Sequence, residues 1–109
     1  MITVKERYEY FKQTLFECSS EVLHLSDDLL LRYIFDELPI DIRCYLFEES
    51  LKILFDDGYI DDTIFTKCVE LKDYYLKAED GLRAHNIRNS PELKHIISLA
   101  DEIRAILYM

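Results

Sequence analysis

Residues 3–22, TVKERYEYFKQTLFECSSEV, carry the clearest helical pattern of the chain. Its apolar residues recur at alternating intervals of four and three: Val4, Tyr8, Phe11, Leu15, Cys18 and Val22. Because an α-helix completes a turn in 3.6 residues, this spacing places all six on one helical face. Thr3 suits the N-cap position, and Glu6 three residues later completes a capping box. The pattern predicts an amphipathic helix from about Val4 to about Ser19.

The same periodicity, read onward, predicts a second and a third helix. Ser26 is the expected N-cap of the second, which should end before Pro39 because a residue preceding proline disfavours helical dihedral angles. The third is expected from about Ile40 to Phe55, followed by Gly58 as a C-terminal stop. The side chains expected on its buried face are Ile40, Cys44, Phe47, Leu51 and Leu54.

Two further helices complete the prediction. The fourth begins near Asp62, stops by Gly81, and carries on its apolar face Ile64, Cys68, Leu71, Tyr75 and Ala78. Residues 82–89 are expected to form a polar, basic loop. Ser90 as N-cap and Pro91 at the first helical position mark the fifth helix. Its expected apolar face comprises Leu93, Ile96, Ala100, Ile103 and Leu107.

Length and composition place these helices in one domain, residues 1–109. Half of the 109 residues are hydrophobic, enough to build a core, and only two glycines and two prolines occur. All-β folds consume many turn residues, so this scarcity favours few, long elements. Short connections favour antiparallel neighbours. The predicted fold is all-α, a compact bundle of about five antiparallel helices.

Cysteine usage and hydropathy bear on the cellular compartment. The three cysteines, Cys18, Cys44 and Cys68, are odd in number and lie in helical apolar patterns, which favours reduced, buried thiols. The N-terminal residues carry mixed charge and no apolar signal region. No apolar stretch approaches the roughly 20 residues that span a bilayer. We therefore expect a cytoplasmic protein that does not insert into a membrane.

The net charge of −9 is concentrated in one third of the chain. Residues 27–62 hold eleven acidic and three basic residues, a net charge of −8. Direct binding to nucleic acid requires the opposite sign, so we expect none. A basic protein partner is electrostatically favourable.

The most acidic segment, residues 55–62 (FDDGYIDD), lies between two predicted helices. Its Asp-Gly-Tyr-Ile core resembles the middle of an EF-hand loop. With Gly58 at loop position 6, however, Ile53, Phe55 and Ile64 fall where oxygen ligands are needed, which argues against calcium. One interpretation is a helix stop followed by an acidic first turn. The other is a partner-facing corner in which carboxylates surround Tyr59.

Other constellations give weak support for chemistry. Two Glu-x-x-His pairs, Glu21–His24 and Glu92–His95, have the spacing used in di-iron bundles, but both lie near helix ends and not in mid-bundle. We predict no metal site, no cofactor and no catalytic residue. Arg88 and His95 resemble the Arg-x4-6-His motif of HEPN-type ribonucleases, which are also small helical bundles, so an RNase remains the enzyme alternative.

The acidic run from Asp36 to Asp62, together with Tyr59, gives the chain a family resemblance. A short, acidic, all-helical chain of this kind looks most like the helical immunity proteins of bacterial contact-dependent growth inhibition. The resemblance implies a protein that is not an enzyme. It would bind the C-terminal toxin domain of a secreted effector, often a basic nuclease, and neutralise it. The residues expected to contact the toxin are Glu48, Glu49, Asp56, Asp57, Tyr59, Asp61 and Asp62. The alternative is a helical adaptor or regulator of another basic protein.

Overall fold

A computed structural model describes residues 1–83 and 86–109. In these ranges the chain is helical and contains no strand, and five helical rods pack into a compact bundle. The first rod is α1 (Val4–Glu17). The second joins α2 (Asp27–Leu31), a π-helical turn (Arg32–Glu37) and α3 (Leu38–Tyr45). The remaining rods are α4 (Glu48–Asp56), α5 (Asp62–Ala78) and α6 (Pro91–Leu107). The predicted all-α compact bundle is confirmed.

The predicted N-terminal caps are present. The Thr3 side chain accepts a hydrogen bond from the Glu6 N–H, and the Glu6 carboxylate accepts one from the Thr3 N–H, both at 3.0 Å. Ser26 caps α2, and Ser90 caps α6 with Pro91 at its start. Each cap satisfies a backbone N–H that the helix itself leaves unpaired, which is why these polar residues mark the boundaries.

The predicted break before Pro39 is wrong, because the second rod continues through the proline to Tyr45. In the π turn the Leu38 N–H donates to the Tyr33 carbonyl, five residues earlier. In an α-helix the ring of Pro39 would meet the carbonyl four residues before it. The π turn relieves that conflict because it contains one residue more than an α-helical turn.

The spacing of buried residues gives a second reason for the π turn. Five fully buried side chains recur at every fourth position along this rod and at the residue that follows it: Leu30, Ile34, Leu38, Ile42 and Leu46. In a regular α-helix each four-residue step rotates the side chain by about 40°, so a stripe of this kind drifts away from the core. The extra residue in the wide turn offsets part of the drift, so the stripe keeps facing the core.

The predicted helix from Ile40 to Phe55 is also wrong, since the chain leaves the helical path at Leu46 and Phe47. Leu51 and Leu54 are buried as predicted, and Phe47 is half-buried. Ile40, however, is 62% exposed, and Cys44 is exposed and not in the core. Both lie two positions from the buried stripe, on the opposite side of α3.

All five rods contribute to one core. Helix α5 packs along α6, and α1 contacts α3, α4 and α6. The radius of gyration, 13.4 Å, is close to the roughly 13 Å expected of a compact chain of this length. Cys18 and Cys68 are buried in this core, as predicted. No helix in the described ranges is long and apolar enough to cross a membrane.

The predicted loop over residues 82–89 includes residues 84 and 85, which lie outside the described residues. On either side, Asp80–Arg83 and Ile87–Asn89 form short 3-10 turns. Leu82 and Ile87 are buried, so these turns contribute to the core as well as connecting α5 to α6.

Candidate partner-binding surface

The seven predicted contact residues, called here the acidic corner, extend from the start of α4 through the turn between α4 and α5 to the start of α5. The N–H of Gly58 donates to the Phe55 carbonyl at 3.1 Å, and the N–H of Tyr59 donates to the Leu54 carbonyl at 2.9 Å. These two bonds form a Schellman motif, whose left-handed position is occupied by Gly58 with φ of +82°. The motif holds the backbone of the corner in one conformation.

The far side of the corner is fixed by the start of α5. The Asp61 Oδ1 accepts a hydrogen bond from the Ile64 N–H at 2.9 Å, and Asp62 lies in the first turn. The helix dipole stabilises both a carboxylate at the N-cap and an acidic residue in the first turn. These two acids therefore stabilise the fold while their side chains remain exposed.

All six carboxylates of the acidic corner are exposed. Glu49 and Asp56 are seven residues apart on α4, so they share a face and lie about 10 Å apart along the axis. Asp57 ends that helix, and Asp61 and Asp62 begin the next. The predicted residues thus extend from the first turn of α4 around to the first turn of α5.

Glu48 differs from the other acids because the buried ammonium group of Lys72 already neutralises it. The Lys72 ammonium lies 2.6 Å from a Glu48 oxygen and 2.7 Å from an Asp73 oxygen, and Lys72 is only 7% exposed. Burial alone would lower the pKa of Lys72, but the hydrogen bonds to Asp73 and Glu48 outweigh it and raise the pKa. The hydrogen bond from Lys72 lowers the pKa of Glu48. Glu48 is therefore committed to holding α4 on α5.

The remaining carboxylates are more available to a partner. Asp56 pairs with Lys52 at 3.0 Å across one helical turn, but both side chains are exposed, and such pairs contribute only about 0.3–0.5 kcal/mol. Within residues 1–83 and 86–109, no ion pair involves Glu49, Asp57 or Asp62. These three acids are the least compensated charges of the corner.

Two exposed apolar side chains flank these charges, and the sequence interpretation did not single them out. Ile53 is 40% exposed and Phe55 is 39% exposed. Ile53 lies one helical turn after Glu49, and the Phe55 ring packs edge-on against Phe65 with centroids 6.0 Å apart. The sequence signal for their exposure was that they lie off the helical face formed by the buried Leu51 and Leu54.

Tyr59 is half-buried and packs against the core. Its ring lies 4.8 Å from the ring of Tyr8 on α1, measured between centroids. Tyr59 thus packs the turn against α1. Ile53 and Phe55 expose a larger fraction of their side chains to solvent than Tyr59 does.

The arginine of the ribonuclease-like motif has a structural role in this fold. The Arg88 guanidinium donates to the carbonyls of Leu23 and Leu25 at 2.9 and 2.7 Å, and to Asp27 Oδ1 at 2.8 Å. His95 is exposed and lies edge-on to Tyr74, with centroids 4.3 Å apart. Arg88 fastens the turn before α6 to the start of α2, which leaves it poorly suited to bind a phosphate.

The two Glu-x-x-His pairs have no coordinating partners in the described part of the chain. Glu21 and His24 are exposed in a 3-10 turn, and the Glu92 carboxylate accepts a hydrogen bond from Ser90 at 3.1 Å. The group whose side chains approach metal-ligand geometry is a different one, formed by Glu17, Glu37 and Asp41.

Comparisons with known protein families, with curated proteins and with solved structures find no match for this chain.

Proposed function

We propose that this chain is an immunity protein, which binds a basic toxin domain through the acidic corner and neutralises it without catalysis. The observation that carries the proposal is the arrangement on α4 and the following turn. Glu49, Asp57 and Asp62 are exposed without an ion pair in the described residues, and the exposed apolar Ile53 lies one helical turn after Glu49 on the same face of α4.

This arrangement suits fast and tight binding to a basic protein. Exposed carboxylates attract a positively charged partner over roughly a Debye length, about 8 Å at physiological salt, and so increase the association rate. Apolar anchors slow dissociation once they are desolvated at the centre of an interface. A nuclease must carry basic groups to hold phosphates, so a nuclease toxin offers the complementary charge.

The proposed place of action is the bacterial cytoplasm, where the partner would be the C-terminal toxin domain of a secreted effector. The adaptor alternative uses the same surface and differs in what binding does to the partner. Inhibition of the partner's activity is therefore the property that separates the two functions.

The first experiment identifies the partner and tests the surface together. Immobilised protein is incubated with a lysate of the cells that encode it, and bound proteins are eluted with a salt gradient and identified by mass spectrometry. A captured basic domain is then purified, and its enzymatic activity is titrated with the chain. We expect activity to fall to zero near one equivalent.

Two double variants with the same change in net charge assign the surface. Asp57→Asn with Asp62→Asn alters the acidic corner, whereas Asp28→Asn with Asp36→Asn removes one first-turn acid and one exposed acid from the second rod. At about 0.5–1 kcal/mol for each interface charge, the first variant should weaken binding about 5- to 30-fold. The second should change it less than about twofold.

Each contrary outcome has a defined meaning. Equal weakening by both variants would show that only the total charge matters, and would reject the acidic corner as the contact surface. Tight binding that leaves the partner fully active would support the adaptor. RNA cleavage by the chain itself that is lost in His95→Ala would replace the proposal with the ribonuclease.

A further inference from the structure

Three carboxyl groups that are distant in sequence converge where α1 meets the second rod. Glu17 is the last residue of α1, Glu37 ends the π turn, and Asp41 lies one turn later in α3. One carboxylate oxygen from each residue lies within 4.8 Å of the other two. This cluster is separate from the acidic corner.

Glu17 is the unusual member, because it is a carboxylate with only 1% of its surface exposed. Its Oε1 has no hydrogen-bond partner among the described residues, and its Oε2 has only a long contact, 3.5 Å, from the Gln13 amide. A buried, unpartnered polar atom is costly, and a buried charge more so.

The surroundings of Glu17 increase the need for positive charge. It lies at the C-terminal end of α1, where the helix dipole disfavours a carboxylate, and the last turn of α1 contains no basic residue. In residues 1–83 and 86–109, no lysine or arginine forms an ion pair with any of the three acids.

The 4.8 Å limit on the oxygen separations is compatible with the coordination sphere of one cation. Oxygens that bind Mg²⁺ at about 2.0–2.1 Å or Ca²⁺ at about 2.3–2.6 Å lie at most about 4–5 Å apart. Carboxylate oxygens are the ligands that hard divalent cations prefer. We propose that Glu17, Glu37 and Asp41 bind one hard divalent cation, with Glu17 as the buried anchor and water completing the coordination.

A cation in this position would cross-link α1 to the junction of the π turn and α3. It would bind the folded chain and not the unfolded one, because residues 17 and 37 meet only when the two rods pack. Binding should therefore raise thermal stability by mass action. The proposal does not depend on the acidic corner or on any partner.

The test uses the full chain after removal of metals with EDTA and exhaustive dialysis. Thermal unfolding is followed by circular dichroism with and without millimolar Mn²⁺, Mg²⁺ or Ca²⁺, and Mn²⁺ binding is counted by electron paramagnetic resonance. We expect one bound Mn²⁺ per chain and a rise in Tm of about 4 °C or more with at least one of the cations.

Glu17→Gln is the decisive variant. It keeps the shape of the side chain and cannot ionise, so without metal its Tm should equal or exceed that of the original chain. Its Tm should not respond to the cation, and bound Mn²⁺ should fall at least tenfold. Asp41→Asn, at a half-buried position, should show the same loss.

The Asp57→Asn, Asp62→Asn variant serves as the matched control and should keep the full response. Absence of a cation-dependent rise in Tm in the original chain would overturn the proposal, and the pair Glu17 and Asp41 would then be explained by a shared proton. An equal response in Glu17→Gln would also overturn it, because the cation would be bound elsewhere.

Discussion

Replacing Gly58 with alanine should destabilise the protein by about 1 kcal/mol, entirely through the backbone. The residue has φ of +82°, and a Cβ built on it meets no atom within 4 Å, so no steric clash contributes. An L-residue in this left-handed conformation destabilises the folded state by about 1–2 kcal/mol. Alanine also makes the unfolded chain less flexible than glycine does, which offsets about 0.4–1 kcal/mol of that loss. Tm should fall by about 4–8 °C.

Urea unfolding of the Gly58→Ala and Gly58→Asn variants tests this reasoning. Asparagine tolerates the left-handed conformation, so Gly58→Asn should lose less than half as much stability. The alanine variant should keep the m-value and lower the midpoint by roughly 0.5–1 M. If Gly58→Ala matched the original chain, or if asparagine were as harmful as alanine, the turn would not depend on the left-handed position.

Three further predictions concern the core, an ion pair and the thiols. Leu71→Ala, at a fully buried position, should cost about 2–5 kcal/mol in urea unfolding; a loss below 1 kcal/mol would contradict the packing. Hydrogen bonds from Arg43, at 2.7 and 3.2 Å, are the main cause that lowers the pKa of Glu79 below 4.5. The stability that this pair adds should be fully present above pH 4.5 and lost as pH falls through the lower folded pKa. The stability gap to Glu79→Gln should thus shrink at pH 3, and an unchanged gap would refute the assignment. A thiol reagent should modify one cysteine, Cys44, in the native protein and all three after unfolding, because the other two are buried.

The helix boundaries show what the sequence can predict well. The caps at Thr3, Ser26 and Ser90 are local, since in each the side chain accepts a hydrogen bond from the backbone N–H three residues later. Gly58 is equally local, as its conformation terminates α4 within one turn. Short-range geometry of this kind is encoded in a few adjacent residues, and the predictions based on it are confirmed.

The second rod shows where local rules fail. The preference against helix before Pro39 is real, but it competes with the burial of Leu38 and Ile42 on the two sides of the proline. Leu38 keeps helical dihedral angles, φ of −58° and ψ of −42°, so burial overrides that preference, and the π turn accommodates the proline ring. The four-residue spacing of the buried stripe was a visible signal for the π turn. The same error led to the wrong prediction that Ile40 and Cys44 are buried.

The candidate surface was predictable in charge but not in detail. The acidic excess of residues 27–62 is evident from composition. That Glu48 is neutralised depends on Lys72, 24 residues away, and this pairing follows from how α4 packs on α5. The cluster of Glu17 with Glu37 and Asp41 had no sequence signal beyond the four-residue spacing of the last two, because it forms only when two rods meet.

The π turn also sets how the second rod would respond to a change in its length. Deleting one residue between Arg32 and Glu37 would restore regular α-helical winding and leave the following residues in place, because the π turn holds one residue more than the α-helical turn that spans the same distance. The buried stripe of Leu30, Ile34, Leu38 and Ile42 would then follow a four-three-four spacing and keep facing the core. The cost of the deletion would come from the ring of Pro39, which would meet a carbonyl of a regular helical turn, so the deletion combined with Pro39→Ala would be tolerated far better than the deletion alone.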